Sequence, residues 1–399
     1  MLLWAGLTVS RFGYRFFNLA ILWFVMQETG SPLALGMTVV CFTIPTVLVE
    51  PFAGVLADRY DKKKIMVITD FCNGFIMLII ATAMISGALT LPALYSLLIC
   101  SAVATALFNP SANSSIPLLV EEELLPKANS LNQLSTQGSN ILGPALAGIL
   151  IGVIGNIGFL LLVSGVAFIL SATTEMWIKV PRVNEEDGKL KLMQKIIEGL
   201  KYVKGNRELL LLVIIGGIII NFFLAPLTIF ITYMSESIFD VGSAGLGFIS
   251  SSVAVGALCG SFMIMFNLFK DKSKMAVIGL FLEGVALLIM GIALHYYVTI
   301  IAVWLLGLGV CLASVGLNTL YQTMIPKVMM GRVLSLVSML LGASIPLGQL
   351  FGSMIMTYYS MTIILIVFGI IVMFSAVSLI RVTMSNKNKE EIILEGGVN

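Results

Sequence analysis

Hydrophobic residues fall along this chain in long runs, separated by short polar breaks. A hydrocarbon core of about 30 Å takes about 20 apolar residues of helix. Twelve runs qualify, near 2–27, 33–57, 65–86, 91–116, 128–154, 157–178, 208–234, 244–268, 275–295, 297–324, 333–357 and 361–382. Unpaired backbone N–H and C=O groups are too costly in hydrocarbon to persist, so the runs read as helices. A transmembrane barrel would need short segments of alternating hydrophobicity, which this pattern does not contain. The expected fold is all-α and integral to the membrane, with twelve transmembrane helices.

Composition agrees. The 399 residues are 58% hydrophobic and 11% charged, against about 25% charged in a typical soluble domain. Of the 23 Lys and Arg, 21 fall in every second connection or at the termini, at 59–64, 127, 179–207, 270–274, 327–332 and 381–389. The alternate connections carry none. The positive-inside rule then places both termini in the cytoplasm, and the strict alternation calls for an even number of spans. The first run is too long for a signal-peptide core and holds Arg11 and Arg15, so a multi-pass protein of the plasma membrane is expected, not a secreted one. The five cysteines lie in apolar runs without metal-ligand spacing and read as small hydrophobes. The lone His295, beside Tyr296 and Tyr297, reads as interfacial.

The chain is also a duplication. Asp61-Lys-Lys-Lys-Ile-Met-Val-Ile68 returns as Asp271-Lys-Ser-Lys-Met-Ala-Val-Ile278, each between two apolar runs. Asn109-Pro-Ser-Ala-Asn-Ser-Ser-Ile-Pro117 has an echo in Asn318-Thr-Leu-Tyr-Gln-Thr-Met-Ile-Pro326, and Gly30-Ser31 in Gly242-Ser243. Pro144 has a counterpart in Pro346. Both halves start on the same side, so the repeat is parallel, and in such folds the substrate sits between the halves near the midplane. The expected divisions are an N-terminal six-helix half at 1–178, a linker at 179–207, a C-terminal half at 208–383 and a disordered cytoplasmic tail at 384–399. Within the linker, Leu192, Ile196, Ile197, Leu200 and Val203 recur at helical spacing between lysines. That pattern predicts a basic amphipathic helix suited to an anionic inner leaflet.

The stretch Gly54-Val-Leu-Ala-Asp-Arg-Tyr-Asp-Lys-Lys resembles the signature loop of the major facilitator superfamily. Glu28-Thr-Gly-Ser-Pro32, Pro117-Leu-Leu-Val-Glu-Glu-Glu123, Leu142-Gly-Pro-Ala-Leu-Ala-Gly148 and Gly331-Arg-Val-Leu-Ser335 are similar to passages of its macrolide-efflux and enterobactin-exporter branch. The resemblance implies that Gly54 allows a close helix approach. It implies that Asp58 latches one access state against the eleventh helix and an arginine, and that Arg59 holds the loop at the leaflet. Asp61 stands where the family pattern commonly has glycine, and Lys62, Lys63 and Lys64 read mainly as topology signals. Gly143 and Pro144, with Gly138 and Gly148, resemble the antiporter motif of the fifth helix without matching its spacing. Together with Pro346 they are the expected helix kinks.

Ionisable residues inside membrane helices are expensive and usually face a cavity or a partner. Counting about 1.5 Å per residue places Arg11, Glu50, Asp70 and Asn109 in one inner-leaflet layer. Arg11 is thus expected to pair with Glu50 or Asp70, leaving the other acid to carry a coupling proton. Arg15 and Glu283 come out nearer the centre and are expected to face the central cavity, Glu283 attracting cationic substrate. Gln133, Gln137, Asn221, Asn318 and Gln322 are further candidates to line it.

The functional expectation is a secondary active transporter that exports amphipathic small molecules in exchange for protons, by rocking of the two halves. An importer or facilitator of metabolites, or a lipid flippase, is the alternative. The sequence has no Gly-x4-Gly-Lys-Ser/Thr segment for ATP and one histidine, so no enzyme activity is expected and no cofactor beyond an ion gradient. The expected partners are a small-molecule substrate and the bilayer, with no nucleic acid. A monomer is the default.

Overall fold

The computed structural model describes residues 2–178, 180–181, 192–266, 268–269 and 271–396. Among them the chain is helical and contains no strand. The first half gives α1 (Leu2–Thr29), α2 (Pro32–Arg59), α3 (Lys62–Ile85), α4 (Leu91–Leu119), α5 (Leu125–Ile154) and α6 (Ile157–Met176). A linker helix, α7 (Leu192–Gly205), follows. The second half gives α8 (Arg207–Ile238), α9 (Gly242–Met265), α10 (Lys272–Ile292), α11 (Tyr296–Met324), α12 (Met330–Ile355) and α13 (Met361–Gly396).

Eleven of these helices are long and apolar enough to cross a membrane. The first is long enough, at 28 residues, but Ser10, Arg11, Tyr14, Arg15 and Asn18 lower its hydropathy. The last helix continues to Gly396, through the segment expected to be a disordered tail. No glycine or proline interrupts residues 370–395, so nothing in the backbone stops the helix before Gly396. The 182–191 part of the linker, where an exposed loop was expected, lies outside the described residues.

The repeated charged turn proves to be a repeated helix start. Asp61 caps α3 by accepting from the Lys64 N–H at 3.3 Å. Asp271 caps α10 by accepting from the N–H groups of Ser273 and Lys274 at 2.9 and 3.2 Å. A carboxylate there satisfies orphan donors and meets the positive end of the helix dipole. Lys62 turns back and donates to the Ala57 carbonyl at 2.9 Å, closing the end of α2. That lysine therefore does more than mark topology.

The helices meet at small residues. A Cβ on Gly74 of α3 would lie 3.1 Å from the Gly165 carbonyl of α6, and one on Gly165 would lie 3.1 Å from the Gly74 carbonyl. The second half repeats this seam between α10 and α13, where Gly284 and Gly369 each face the other's carbonyl at 2.8 Å. Without side chains, two backbones approach closely enough for full dispersion contact.

The chain forms two compact units, one of 1–188 with 228–251 and one of 189–227 with 252–399. The segment 228–251 was expected to belong with the C-terminal half. It packs with the N-terminal helices because α9 meets α5 backbone to backbone. A Cβ on Gly148 would collide with the Ser243 carbonyl, and one on Gly247 with the Pro144 carbonyl. Ser243 Oγ also donates to the Gly148 carbonyl at 2.9 Å. One unit boundary falls in α8 beside Pro226, where the helix is broken at Ala225–Pro226. Proline supplies no N–H there and forces the break.

In the second unit α7 lies along the start of α12. Glu198 pairs with Arg332, Tyr202 donates to the Met324 carbonyl at 3.3 Å, and Val203 is buried. The place of a Cβ on Gly199 is 3.0 Å from the Arg332 carbonyl. Protein contacts thus hold part of the face expected to lie on lipid, while Ile197 stays exposed. Part-exposed ion pairs contribute about 0–1 kcal/mol, whereas overpacking costs about 1–3 kcal/mol. Gly199→Leu is therefore expected to speed tryptic cleavage at Lys201 and Lys204 several-fold more than Arg332→Ala. Equal rates in the two variants would contradict this docking.

Candidate functional site

In the first unit α1, α2, α3, α4, α5 and α6 enclose a cavity of about 520 Å³. Its walls are unusual for a membrane interior. Arg11, Tyr14 and Arg15 come from α1, Asp70 and Asn73 from α3, Asn109 and Asn113 from α4, and Asn132 and Gln133 from α5. Four of the residues singled out by depth or polarity, Arg11, Asp70, Asn109 and Gln133, therefore share one space, and Arg15 joins them. Phe42 and Phe168 add apolar surface. Such a mixture suits an amphipathic guest, since aromatic rings supply contact area and a few polar groups fix orientation.

The arginines are held in specific ways. Arg11 does not pair with Glu50 or Asp70. Its guanidinium crosses to α5, donating to the Asn132 carbonyl at 3.1 Å and to Asn132 Oδ1 at 2.6 Å. Neutral acceptors on α5 thus satisfy the guanidinium. Glu50 is exposed on α2, so matching depth did not mean a matching face. Arg15 lies with its Cζ 5.6 Å from the Tyr14 ring centroid. Its stem packs where Gly143 leaves room, because a Cβ on Gly143 would come within 2.6 Å of Arg15 Cβ. Gly143 thereby serves Arg15, and Pro144 turns its carbonyl to Gly247. Gly138 has nothing within 4 Å of its Cβ position.

Asp70 differs from the arginines. It is 1% exposed, and neither carboxylate oxygen has a hydrogen-bond partner. Across the α3–α6 seam stands Glu175, also 1% exposed and with both oxygens unpartnered. Ser171 stands one turn before Glu175 on α6, and its hydroxyl oxygen is likewise buried with no hydrogen-bond partner. Sequence reading passed over Glu175, because it sits in the last turn of its run, beside Lys179. A signal was present: Glu175 stands one helical turn after Ser171, on the face that carries Gly165 and Phe168.

The remaining candidates do not gather. Glu283 is 2% exposed and packs between helices, with the Cβ position of Gly309 3.1 Å from its Cγ. It packs against α11 in the second unit. Asn221 donates to the Gly217 carbonyl at 3.0 Å. Asn318 is exposed and reaches Ser314 Oγ at 3.4 Å, and Gln322 is exposed. Gln137 accepts from Asn140 Nδ2 at 3.1 Å and is not part of the cavity wall. Pro346 lies buried in α12, two residues before Gly348, which meets the Phe222 carbonyl of α8.

At the signature turn, the described residues leave open space within 4 Å of a Cβ on Gly54. The Asp58 side chain, the expected latch, lies outside the described residues, and Arg59 ends α2 in an exposed position. Arg332, an arginine at the start of α12, is paired with Glu198 of the linker.

Comparison with known proteins adds the following. A family model described as transmembrane secretion effector matches residues 1–395. Macrolide efflux protein A of Streptococcus pyogenes is 25% identical over 366 residues, covering 88% of this chain and 88% of that protein. The staphyloferrin A transporter of Staphylococcus aureus is 25% identical over 371 residues, 91% and 89% of the two chains. The multidrug efflux pump Tap of Mycolicibacterium fortuitum is 21% identical over 94% of each. Among solved structures, a bacterial homologue of the iron transporter ferroportin in an inward-facing state superposes with a TM-score of 0.75 at 17% identity. The match covers 96% of this chain and 97% of that one. The nucleoside transporter NupG gives a TM-score of 0.77 at 9% identity, covering 96% and 98%.

Proposed function

The chain belongs to the transmembrane secretion effector family of major facilitator transporters, and from that premise we propose that it exports amphipathic small molecules in exchange for protons. It is a multi-pass membrane transporter and not an enzyme. Export is supported by relatives named for efflux of macrolides and of multiple drugs. The observation that carries the reading is the cavity of the first unit. It combines two partly buried arginines, a ring of asparagines and aromatic walls with a buried acid that has no hydrogen-bond or ion-pair partner among the described residues. The polar ring orients a guest of mixed character, and the acid offers a place where a proton and a substrate compete electrostatically.

Alternating access by rocking is supported by the α5–α9 seam, a contact of backbone and small residues that holds few interlocked side chains. Both termini are assigned to the cytoplasm by the basic connections, and the plasma membrane is the site of action. The test is accumulation of a labelled macrolide in cells stripped of their own efflux pumps. Expression of this chain is expected to lower accumulation several-fold, and a protonophore to restore it. Unchanged accumulation across a panel of macrolides and hydrophobic cations, with faster uptake of a nutrient instead, would contradict export.

A further inference from the structure

We propose that Asp70 and Glu175 form a carboxyl pair that takes up and releases the coupling proton. The proposal rests on the proton-coupled reading above and assigns it a site.

The geometry comes from the glycine seam. Gly74 and Gly165 bring α3 and α6 into backbone contact. Asp70, one turn before Gly74 on α3, and Ser171 and Glu175, beyond Gly165 on α6, are therefore all buried along this seam. Gly6 of α1 closes the site from the third side, since a Cβ there would lie 3.3 Å from Ser171 Oγ and would collide with Thr174 Oγ1. Five oxygens, two from each carboxyl and one from the hydroxyl, are buried together without a hydrogen-bond partner. No cation among the described residues forms an ion pair with either carboxyl. Arg11 shares the cavity wall with Asp70 but commits its guanidinium to Asn132. Asn73 on its own helix and Asn109 from α4 line the cavity with Asp70. Glu50 of α2 is exposed.

The second half shows that the fold does not need these charges. At an offset of 210 residues, Gly74 corresponds to Gly284 and Asp70 to Leu280. At an offset of 204, Gly165 corresponds to Gly369, Ser171 to Ser375 and Glu175 to Leu379. Leu280 and Leu379 are each 1% exposed and belong to one apolar cluster. The same seam is thus built once with two leucines and once with two acids. A buried, uncompensated acid pair costs stability that a leucine pair does not, so its presence in the first half calls for a role beyond packing.

Chemically, two carboxylates this close and this dry cannot both keep their charge. A hydronium ion reaching the cavity through Asp70 gives up its proton to the pair. One O–H bond forms on a carboxyl oxygen, one breaks, and water leaves. The pair then bears one negative charge or none, while the arginine charges of the cavity stay fixed. The potential felt by a guest therefore changes by one unit with each proton. Reversal returns the proton to water on the other side of the cycle.

The test uses the full chain in nanodiscs, followed by infrared spectroscopy through a pH titration. The wild type is expected to show a carboxylic-acid C=O band that grows as pH falls. Asp70→Asn and Glu175→Gln, both near-isosteric, are each expected to lose or shift that band while eluting as folded monodisperse protein. In proteoliposomes, accumulation of a macrolide driven by a pH gradient should fall about tenfold in either variant, within the usual range of coupling between two sites. A double replacement by leucine, copying the second half, should be at least as stable to heat as the wild type. If the band and the gradient response both survive in the two single variants, the pair is not the proton site, whatever couples transport. A wild type that ignores the pH gradient would instead overturn the proton-coupled reading. A band that answers to sodium at fixed pH, and not to pH, would overturn the proton assignment itself.

Discussion

Gly148→Leu is expected to stop transport. Nothing flexible stands opposite Gly148: a Cβ there meets the carbonyl of Ser243 and lies 3.1 Å from the Ala244 Cα. A leucine must part α5 from α9 and break the Ser243 hydrogen bond to the Gly148 carbonyl. Overpacking of this kind costs about 2–3 kcal/mol, which depopulates the packed arrangement about 30- to 140-fold. A transporter that must pass through that arrangement once per cycle slows accordingly. Gly247→Leu, meeting the Pro144 carbonyl from the other side, should do the same. The measurement is macrolide flux in proteoliposomes, with protein folding checked by size-exclusion chromatography. Wild-type flux from a folded Gly148→Leu protein would mean that the seam plays no part in the cycle.

The largest loss of stability is expected at Gly307. In the second unit α9 and α11 cross with backbone against backbone. A Cβ on Gly307 would run into the Val253 carbonyl, and one on Gly256 into the Trp304 carbonyl. Neither obstacle can rotate away. Gly307→Leu should therefore cost about 3 kcal/mol or more, enough to erase most of a marginal stability. The readout is the yield of monodisperse protein and the melting temperature in detergent. Gly331→Leu is the control, because Gly331 has nothing within 4 Å of its Cβ position and should behave as wild type. Equal losses in the two variants would show that glycine content, not the crossing, limits stability.

Much of the fold was legible because lipid permits so few solutions. Apolar runs and basic turns fixed the helices, and Asp61 and Asp271 marked the duplication before their capping role was visible. The glycine pairs of the two seams escaped notice, since single glycines in apolar runs look alike until their neighbours across the interface are known. The site was read less well, for one geometric reason. Counting residues from a helix end gives depth and says nothing of azimuth. Glu50 and Asp70 share a depth, yet one is exposed and the other is buried at the cavity wall. Glu283 has the depth of a cavity acid but turns to α11. Arg11 matches Glu50 and Asp70 in depth and opposite charge, yet Asn132 offers it two neutral acceptors on the adjoining helix. Glu175, the acid that completes the buried pair, was lost among the charges of the linker.

The division between the two seams gives the account its centre. One half fills two positions of its helix contact with Leu280 and Leu379, and the other places Asp70 and Glu175 at the same positions, Asp70 on the wall of a polar cavity. A transporter driven by protons needs such an asymmetry, a group whose charge changes while the scaffold around it does not.

The most direct test is uptake into proteoliposomes with an imposed pH gradient and no other energy source. The account predicts that a macrolide or a related amphipathic compound accumulates against its own gradient on the side that supplies protons. It predicts that collapsing the pH difference stops accumulation at once. Downhill flux that is indifferent to the gradient, for every amphipathic compound offered, would contradict it.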